Sequence, residues 1–322
     1  MDWLLASLGL VILLLAGDSL VRGAVNFALR VGIPALIVSL TIVAFGTSAP
    51  ELLIAIKALM DNAPGIAMGN VVGSNTANIL MVLGFPALLA AMHTSECDSR
   101  KNYIYMIASS VLFIGLAFRG VFDALAGLVL LAALAAVLTD SFLHARNHRR
   151  EARAAEAAMG ADDIEELEGA DPELPWWKII VFLGLGLVGL PLGADILVDS
   201  SVNIAREFGV TETVIGLTLV ALGTSLPELA TTVMAALRRQ ADVALGNVIG
   251  SNMFNLLAII GITSLLGEIP VDRQFLQFDL WVMLASSLLL VPFVFLKRDI
   301  TRGWGILLVA LYIAYITVVV MA

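Results

Sequence analysis

The chain has 322 residues, of which 60% are apolar and 14% charged, with a formal net charge of −9. Soluble domains run nearer ~45–50% apolar and ~25% charged, so this composition excludes an ordinary water-soluble globule and describes a polytopic membrane protein. The acidic balance is local, with nine acidic residues between Glu151 and Glu173, and the lack of a basic surface argues against nucleic acid as a partner.

A helix needs roughly 20 apolar residues to cross a bilayer. In chain order that measure places ten spans, at about 3–26, 33–59, 64–91, 102–118, 121–143, 176–204, 210–237, 241–267, 275–296 and 303–321. The first follows Asp2 with no Lys or Arg before it, so it reads as a retained helix and not a cleaved signal. Spans four and five almost touch and divide near Gly120. A hydrophilic stretch, 144–175, separates a first unit (1–143) from a second (176–322). It opens basic and turns acidic. Its run Asp162-Asp163-Ile164-Glu165-Glu166-Leu167-Glu168 lacks the spaced ligands and central glycine of an EF-hand. It reads as a solvated linker, with weak calcium regulation as the alternative.

Lys and Arg mark the cytoplasmic side. Ten spans put 14 of them on the side of the 144–175 loop and 4 on the other. The expected topology is therefore a multi-pass protein of the cell (inner) membrane, with both termini extracytoplasmic and the loop cytoplasmic. Trp3, Trp176, Trp177 and Trp304 fall at span ends, where interfacial aromatics belong. The single cysteine, Cys97, excludes an internal disulfide.

Two stretches recur. Gly46-Thr47-Ser48-Ala49-Pro50-Glu51-Leu52 returns as Gly223-Thr224-Ser225-Leu226-Pro227-Glu228-Leu229. Gly69-Asn70-Val71-Val72-Gly73-Ser74-Asn75 returns as Gly246-Asn247-Val248-Ile249-Gly250-Ser251-Asn252, and the offset is 177 in both cases. The same offset aligns Asp18 with Asp195, Asn26 with Asn203, Gly32 with Gly209, Thr41 with Thr218 and Asn78 with Asn255. Each unit holds five spans, an odd number, so the second enters the membrane from the opposite side. The expected fold class is an all-α polytopic membrane protein with ten transmembrane helices in two inverted five-helix repeats. Secondary transporters recurrently have this plan, with the site at the midplane on Gly/Pro-interrupted helices.

The interruptions have a chemical purpose. Pro50 supplies no N–H to the carbonyl four residues back, and Gly46 permits a bend. Carbonyls near Ala44 and Phe45 are expected to be freed, as are those of Ala221 and Leu222 beside Pro227 and Gly223. Helical spacing places Thr47, Ser48 and Glu51 on one face, with Thr224, Ser225 and Glu228 as the mirror set. Ser74 and Asn78 are four apart, as are Ser251 and Asn255. The combined set of carboxylates, hydroxyls, amides and carbonyls suits hard cations such as Ca²⁺ and Na⁺. No histidine or thiol lies near it, which disfavours zinc and copper. A carboxylate at mid-bilayer costs at least ~2.5 kcal/mol, so Glu51 and Glu228 read as ion ligands more readily than as helix caps. Asp18 and Asp195 read first as anchors of helices one and six. Asn70, Asn75, Asn247 and Asn252 are as suited to bracing helices as to ion contact, and Gly69, Gly73, Gly246 and Gly250 to close helix approach.

At these residues the chain resembles the cation/calcium exchanger superfamily, and within it the prokaryotic sodium/calcium exchangers. The matching motifs are G-T-S-x-P-E and G-N-x-x-G-S-N-x-x-N, each present twice. The resemblance covers the chain apart from the central loop. It implies four ion sites around helices two, three, seven and eight. It assigns coordination to Thr47, Ser48, Glu51, Ser74, Asn78, Thr224, Ser225, Glu228, Ser251 and Asn255, with the carbonyls of Ala44 and Ala221. Glu51 and Glu228 would hold calcium and the flanking sites sodium, with helices one and six sliding over the rest. Some family members carry Asp where this chain has Asn78 or Asn255, so here the cluster holds two full negative charges.

The expected function is antiport of Ca²⁺ against Na⁺ by alternating access, with inorganic cations and the lipid bilayer as partners, no cofactor and a monomer sufficient. Glutamates at midplane also suit a proton-driven or potassium-dependent cation exchanger. A passive channel has no need of an inverted duplication. An intramembrane enzyme lacks a base beside its acids, since His93, His144 and His148 lie outside the motifs.

Overall fold

The computed structural model describes residues 1–158, 171, 174–209 and 223–321. Apolar runs become helices: α1 (Asp2–Val31), α2 (Ala35–Met60), α3 (Pro64–Leu89), α4 (Arg100–Ala117), α5 (Ala124–Ala158), α6 (Trp176–Glu207), α7 (Leu226–Leu237), α8 (Ala241–Leu266), α9 (Phe275–Phe295) and α10 (Arg302–Met321). Eight of these are long and apolar enough to cross a membrane. The start of α4, Arg100-Lys101-Asn102, lowers its hydropathy. For the seventh span, 210–222 lies outside the described residues. Gly120, at φ 82°, divides α4 from α5 where the sequence places the cut. A two-residue ribbon pairs Val121–Phe122 with Ile269–Pro270 beside it.

The boundary at 143 is not a helix end. α5 runs on to Ala158, through an Ala-, Arg- and Glu-rich stretch whose residues are good helix formers. The rest of the 144–175 stretch lies outside the described residues, save 171, 174 and 175.

Positions 177 apart carry matching backbone geometry. Gly32 and Gly209 both end their helices in the left-handed region, each at φ 73°. Asn62 and Arg239 repeat that conformation at φ 57° and φ 56°, unusual for residues with a Cβ. Ser48 and Ser225 break α2 and open α7 with dihedrals of −86°, 3° and −90°, 4°. Asn78–Val82 and Asn255–Ile259 are both single π-helical turns, in α3 and α8.

The equivalent helices α1 and α6 lie against each other antiparallel. A Cβ built on Gly9 would meet Leu197 N at 2.7 Å, one on Gly193 would meet Leu13 N at 2.8 Å, and one on Gly186 would meet Leu20 N at 2.9 Å. Low numbers in one helix meet high numbers in the other. The Gly9–Leu197 and Leu20–Gly186 contacts are themselves related by the offset. Equivalent helices running in opposite directions is what inversion of the second unit requires. Small residues allow this backbone-to-backbone approach in a membrane, where packing and not the hydrophobic effect holds helices together. At 30 and 32 residues both exceed the ~20 needed to span, so they are long enough to cross at a tilt.

Around this pair the other helices bury three larger apolar clusters. One joins α3, α7, α8 and α10 through Leu83, Ala235, Val243, Ile249 and Leu308. A second joins α3, α4, α5, α8 and α9, with Phe113 stacked on Phe122 at 4.7 Å. The third is the α1–α6 seam itself. Outside the spans, burial pushes the Cys97 thiol up from its ordinary range, with Asp242 adding to the shift.

Candidate ion site

The two motif types converge from opposite units. Gly246 and Gly250 of α8 lie against the first half of α2, and a Cβ at Gly250 would approach Leu40 O to 2.4 Å. That contact brings α8's hydroxyl and amide face onto the break in α2. Thr47 Oγ1 then donates to Asn247 Oδ1 at 3.3 Å and lies 3.5 Å from Ser251 Oγ. The mirror contact is present too, with Thr224 Oγ1 donating to Asn70 Oδ1 at 3.4 Å. Each unit's threonine is thus held by the other unit's asparagine.

Glu51 and Glu228 are 1% and 0% exposed, so neither carboxylate reaches water. Ser48 Oγ donates to Glu228 Oε1 at 3.3 Å, and Ser251 Oγ does so at 3.5 Å. Asn247 braces the same helix, its Nδ2 donating to Glu228 O at 3.4 Å and Thr232 Oγ1 at 3.2 Å. Asn78 Nδ2 donates to Asn252 Oδ1 at 3.0 Å, and Asn252 Nδ2 to Asn75 O at 3.3 Å. The bonds of Asn252 join the two units, as does the one from Thr47 to Asn247, while those of Asn247 Nδ2 tie α7 to α8 within one unit.

Buried polar atoms almost always find hydrogen-bond partners, and exceptions carry information. Among the described residues eleven buried side-chain atoms have none, and eight belong to the repeated motifs and their Asn extensions: Glu51 Oε2, Glu228 Oε2, Ser225 Oγ, Asn70 Nδ2, Asn75 Oδ1, Asn78 Oδ1 and both polar atoms of Asn255. Six of the eight are oxygens. A cation satisfies oxygens of this kind and would offset the cost of burying two like charges together. Among the described residues no group of three or more His, Cys, Asp or Glu is arranged to hold a metal, so the site rests on two acids plus neutral oxygens.

The structure amends several local expectations. The break in α2 comes at Ser48, not at Gly46. Helical bonding continues past the glycine because Ser48 N–H still reaches Ala44 O, at 3.0 Å. The Ala44 carbonyl thus keeps a backbone partner, and Thr47 Oγ1 lies 3.3 Å from it, an alternative acceptor to Asn247 Oδ1 for the one hydroxyl proton. Gly46 serves packing instead, since a Cβ would lie 2.0 Å from Leu187 Cδ2, and one on Gly223 2.5 Å from Val198 Cγ2. Thr47, Ser48 and Glu51 consequently straddle a break and do not share one continuous helical face. Ser74 is buried in α3 at 4% exposure, beside Asn78. Ala221 and Leu222 lie outside the described residues.

The two ends of the site differ. Toward one end a cavity of about 150 Å³ reaches the break before α7, lined by Pro50 and Ile54, by Asp195 and Asp199, and by Thr224 and Pro227. At the opposite end α1 closes on α7. A Cβ on Gly17 would sit 3.0 Å from Ala230 O, and Asp18 pairs with Arg22 at 3.0 Å and with Arg238 at the end of α7. The positions equivalent to Asp18 and Arg238 are Asp195 and Asp61, two acids that cannot pair. The ion pair is thus one-sided. No motif marked Arg238 in the sequence; only its membership of the basic side gave a signal.

The comparisons with known proteins agree with this architecture. The family model described as sodium/calcium exchanger protein matches residues 1–143 and 178–321. The chain is 35% identical to the sodium/calcium exchanger MaX1 of Methanosarcina acetivorans over 98% of both chains. It is 31% identical to the inner membrane protein YrbG of Escherichia coli, over 96% of this chain and 93% of that one. A solved structure of the sodium-calcium exchanger NCX_Mj, soaked with zero Na⁺ and Ca²⁺, superposes with a TM-score of 0.82 at 30% identity, covering 98% of each chain.

Asn247 gives a test of the inter-unit bracing. Asn247→Ala removes the amide without adding bulk and strips partners from Thr47, Thr232 and Glu228 O. Thermal unfolding in calcium-free detergent is expected to show a loss of about 1–3 kcal/mol. Unchanged stability would contradict the bracing role.

Proposed function

Because the chain belongs to the sodium/calcium exchanger protein family, we propose that it exchanges Ca²⁺ for Na⁺ across the membrane, at a midplane site built from Glu51 and Glu228. The observation that carries this reading is the pair of fully buried carboxylates with unpartnered oxygens at mirror-related helix breaks. Two carboxylates balance one Ca²⁺ or two Na⁺. Ca²⁺ takes ~6–8 oxygens at ~2.3–2.6 Å. Glu51, Glu228, Ser48, Ser225, Ser251, Asn78 and Asn255 supply side-chain oxygens toward that number, with Thr47, Thr224 and Ser74 beside them. One cage of fixed charge accepts either load but not both, and that exclusion couples the fluxes. A third Na⁺ would move net charge, worth about 2.3 kcal/mol per 100 mV.

Alternating access follows from the one-sided closure. The cavity beside Asp195 and Asp199 serves as the route from the extracytoplasmic side. Asp18 with Arg238 latches the cytoplasmic side, where the basic residues gather. Sliding the α1–α6 pair over the rest would part Asp18 from Arg238 and close the opposite cavity. The absent mirror ion pair leaves the opposite closure without a latch. The resting preference is then for the outward-accessible state.

Two experiments test this. In vesicles, an imposed Na⁺ gradient is expected to drive ⁴⁵Ca²⁺ uptake, and Glu51→Gln or Glu228→Gln each to abolish it. Uptake at the wild-type rate in both variants would remove the site assignment, and uptake driven by a pH gradient alone would replace Na⁺ by H⁺. For the latch, a cysteine placed at Ala230 in a Cys97→Ser background reports cytoplasmic opening through an impermeant thiol reagent. Arg238→Gln is expected to raise its labelling rate severalfold, since such a pair contributes up to about 1 kcal/mol. An unchanged rate would contradict the latch.

A further inference from the structure

Away from the ion site, α4 and α9 enclose a surface groove of about 630 Å³, walled by Tyr103, Ile107 and Val111 on one side and Leu288, Val291 and Phe295 on the other. Its wall on α4 runs from Tyr103 to Leu112, about 14 Å at 1.5 Å per residue. That is half of a hydrocarbon core ~30 Å thick, or one leaflet. The groove does not stop at random. One end meets the start of α4 and the end of α9, where Arg100 Nη2 donates to Phe295 O at 3.3 Å and its guanidinium lies 5.8 Å from the Phe295 ring centroid. Lys297 and Arg298 follow Phe295 within three residues, and both are exposed. Lys101, next to Arg100, is neutralised by Asp140 at 2.6 Å. The nearest following acid, Asp299, is itself occupied by Ser95 N–H at 3.1 Å and His93 at 3.0 Å. No described carboxylate pairs with Arg100, Lys297 or Arg298, so the basic mouth keeps its charge.

We propose that this groove binds one anionic glycerophospholipid of the leaflet on that side, with an acyl chain between α4 and α9 and the phosphate at Arg100, Lys297 and Arg298. The one-leaflet length and the cationic mouth select this occupant. A helix from a second copy would be ~10–12 Å wide and would run through both leaflets, which the groove's length does not match. Arg100 orders the mouth: stacked on Phe295, it keeps four of its five donors for phosphate oxygens. Basic pockets between helices at a membrane surface are a recurrent means of head-group recognition.

The test is native mass spectrometry of the full chain, released from nanodiscs of equimolar phosphatidylcholine and phosphatidylglycerol with identical acyl chains. The wild-type protein is expected to retain one phosphatidylglycerol in preference to phosphatidylcholine. Arg100→Gln is expected to lower that preference about fivefold, the weight of one basic residue near an anionic surface. Ala108→Trp, which fills the groove from an exposed position, is expected to remove the retained lipid of either kind, and Val111→Trp serves the same end should the first variant not fold. Lys178→Gln, a cation on another helix of the same side, is expected to change nothing. Retention by a folded groove-filled variant, an unchanged preference in Arg100→Gln, equal loss in Lys178→Gln, or release as a dimer in place of the lipid adduct would each overturn the proposal.

Discussion

Two carboxylates buried away from water stay ionised only if a positive charge joins them. Glu51 and Glu228 are both buried, and burying an uncompensated ion costs several kcal/mol even after relaxation. Nothing among the described residues supplies the counter-charge, since the motifs contain no Lys, Arg or His. The hydroxyls of Ser48 and Ser251 engage one Glu228 oxygen and leave the other without a partner. The rest of the architecture keeps those acids away from lipid.

Antiparallel, sequence-related elements do this economically. The duplicated motif supplies two breaks, at Ser48 and before α7, and the α2 segment leading to the first lies against the glycine-bearing face of α8. The matching dihedrals at Ser48 and Ser225, and the paired π-helical turns that begin at Asn78 and Asn255, show how closely the two copies follow one another. π-Helical turns recur at functional sites. Here they begin at Asn78 and Asn255, two of the four asparagines with unpartnered side-chain atoms among the described residues. The units part company where the two ends of the site must differ. Asp18 meets Arg238, whereas Asp195, at the equivalent position, lines a cavity. On the alternating-access reading proposed above, a lone ion pair is a small bias between two states.

Much of this was legible in the residues. The duplicated motifs, their offset and the odd number of spans led to the inverted plan, and Gly120 marked the division of α4 from α5. The two acids stood out because a carboxylate amid apolar residues is costly. Finer features were not legible because they depend on tertiary contacts. Pro50 announced a break but not its position, which moved to Ser48 once Ala44 O kept its amide partner. Gly46 looked like a hinge and serves as clearance for Leu187, a distinction only the packing of α6 could make. The continuation of α5 to Ala158 was hidden because charge was read as loop, although Ala, Arg and Glu favour helix as well as water.

The most direct measurement is calorimetric titration of Ca²⁺ into the purified protein at a series of Na⁺ concentrations, with K⁺ keeping ionic strength constant. One high-affinity Ca²⁺ per chain is expected, with an apparent Kd that rises with Na⁺ at a log–log slope of two or more. Calcium affinity indifferent to Na⁺ would contradict a single pair of acids serving both ions.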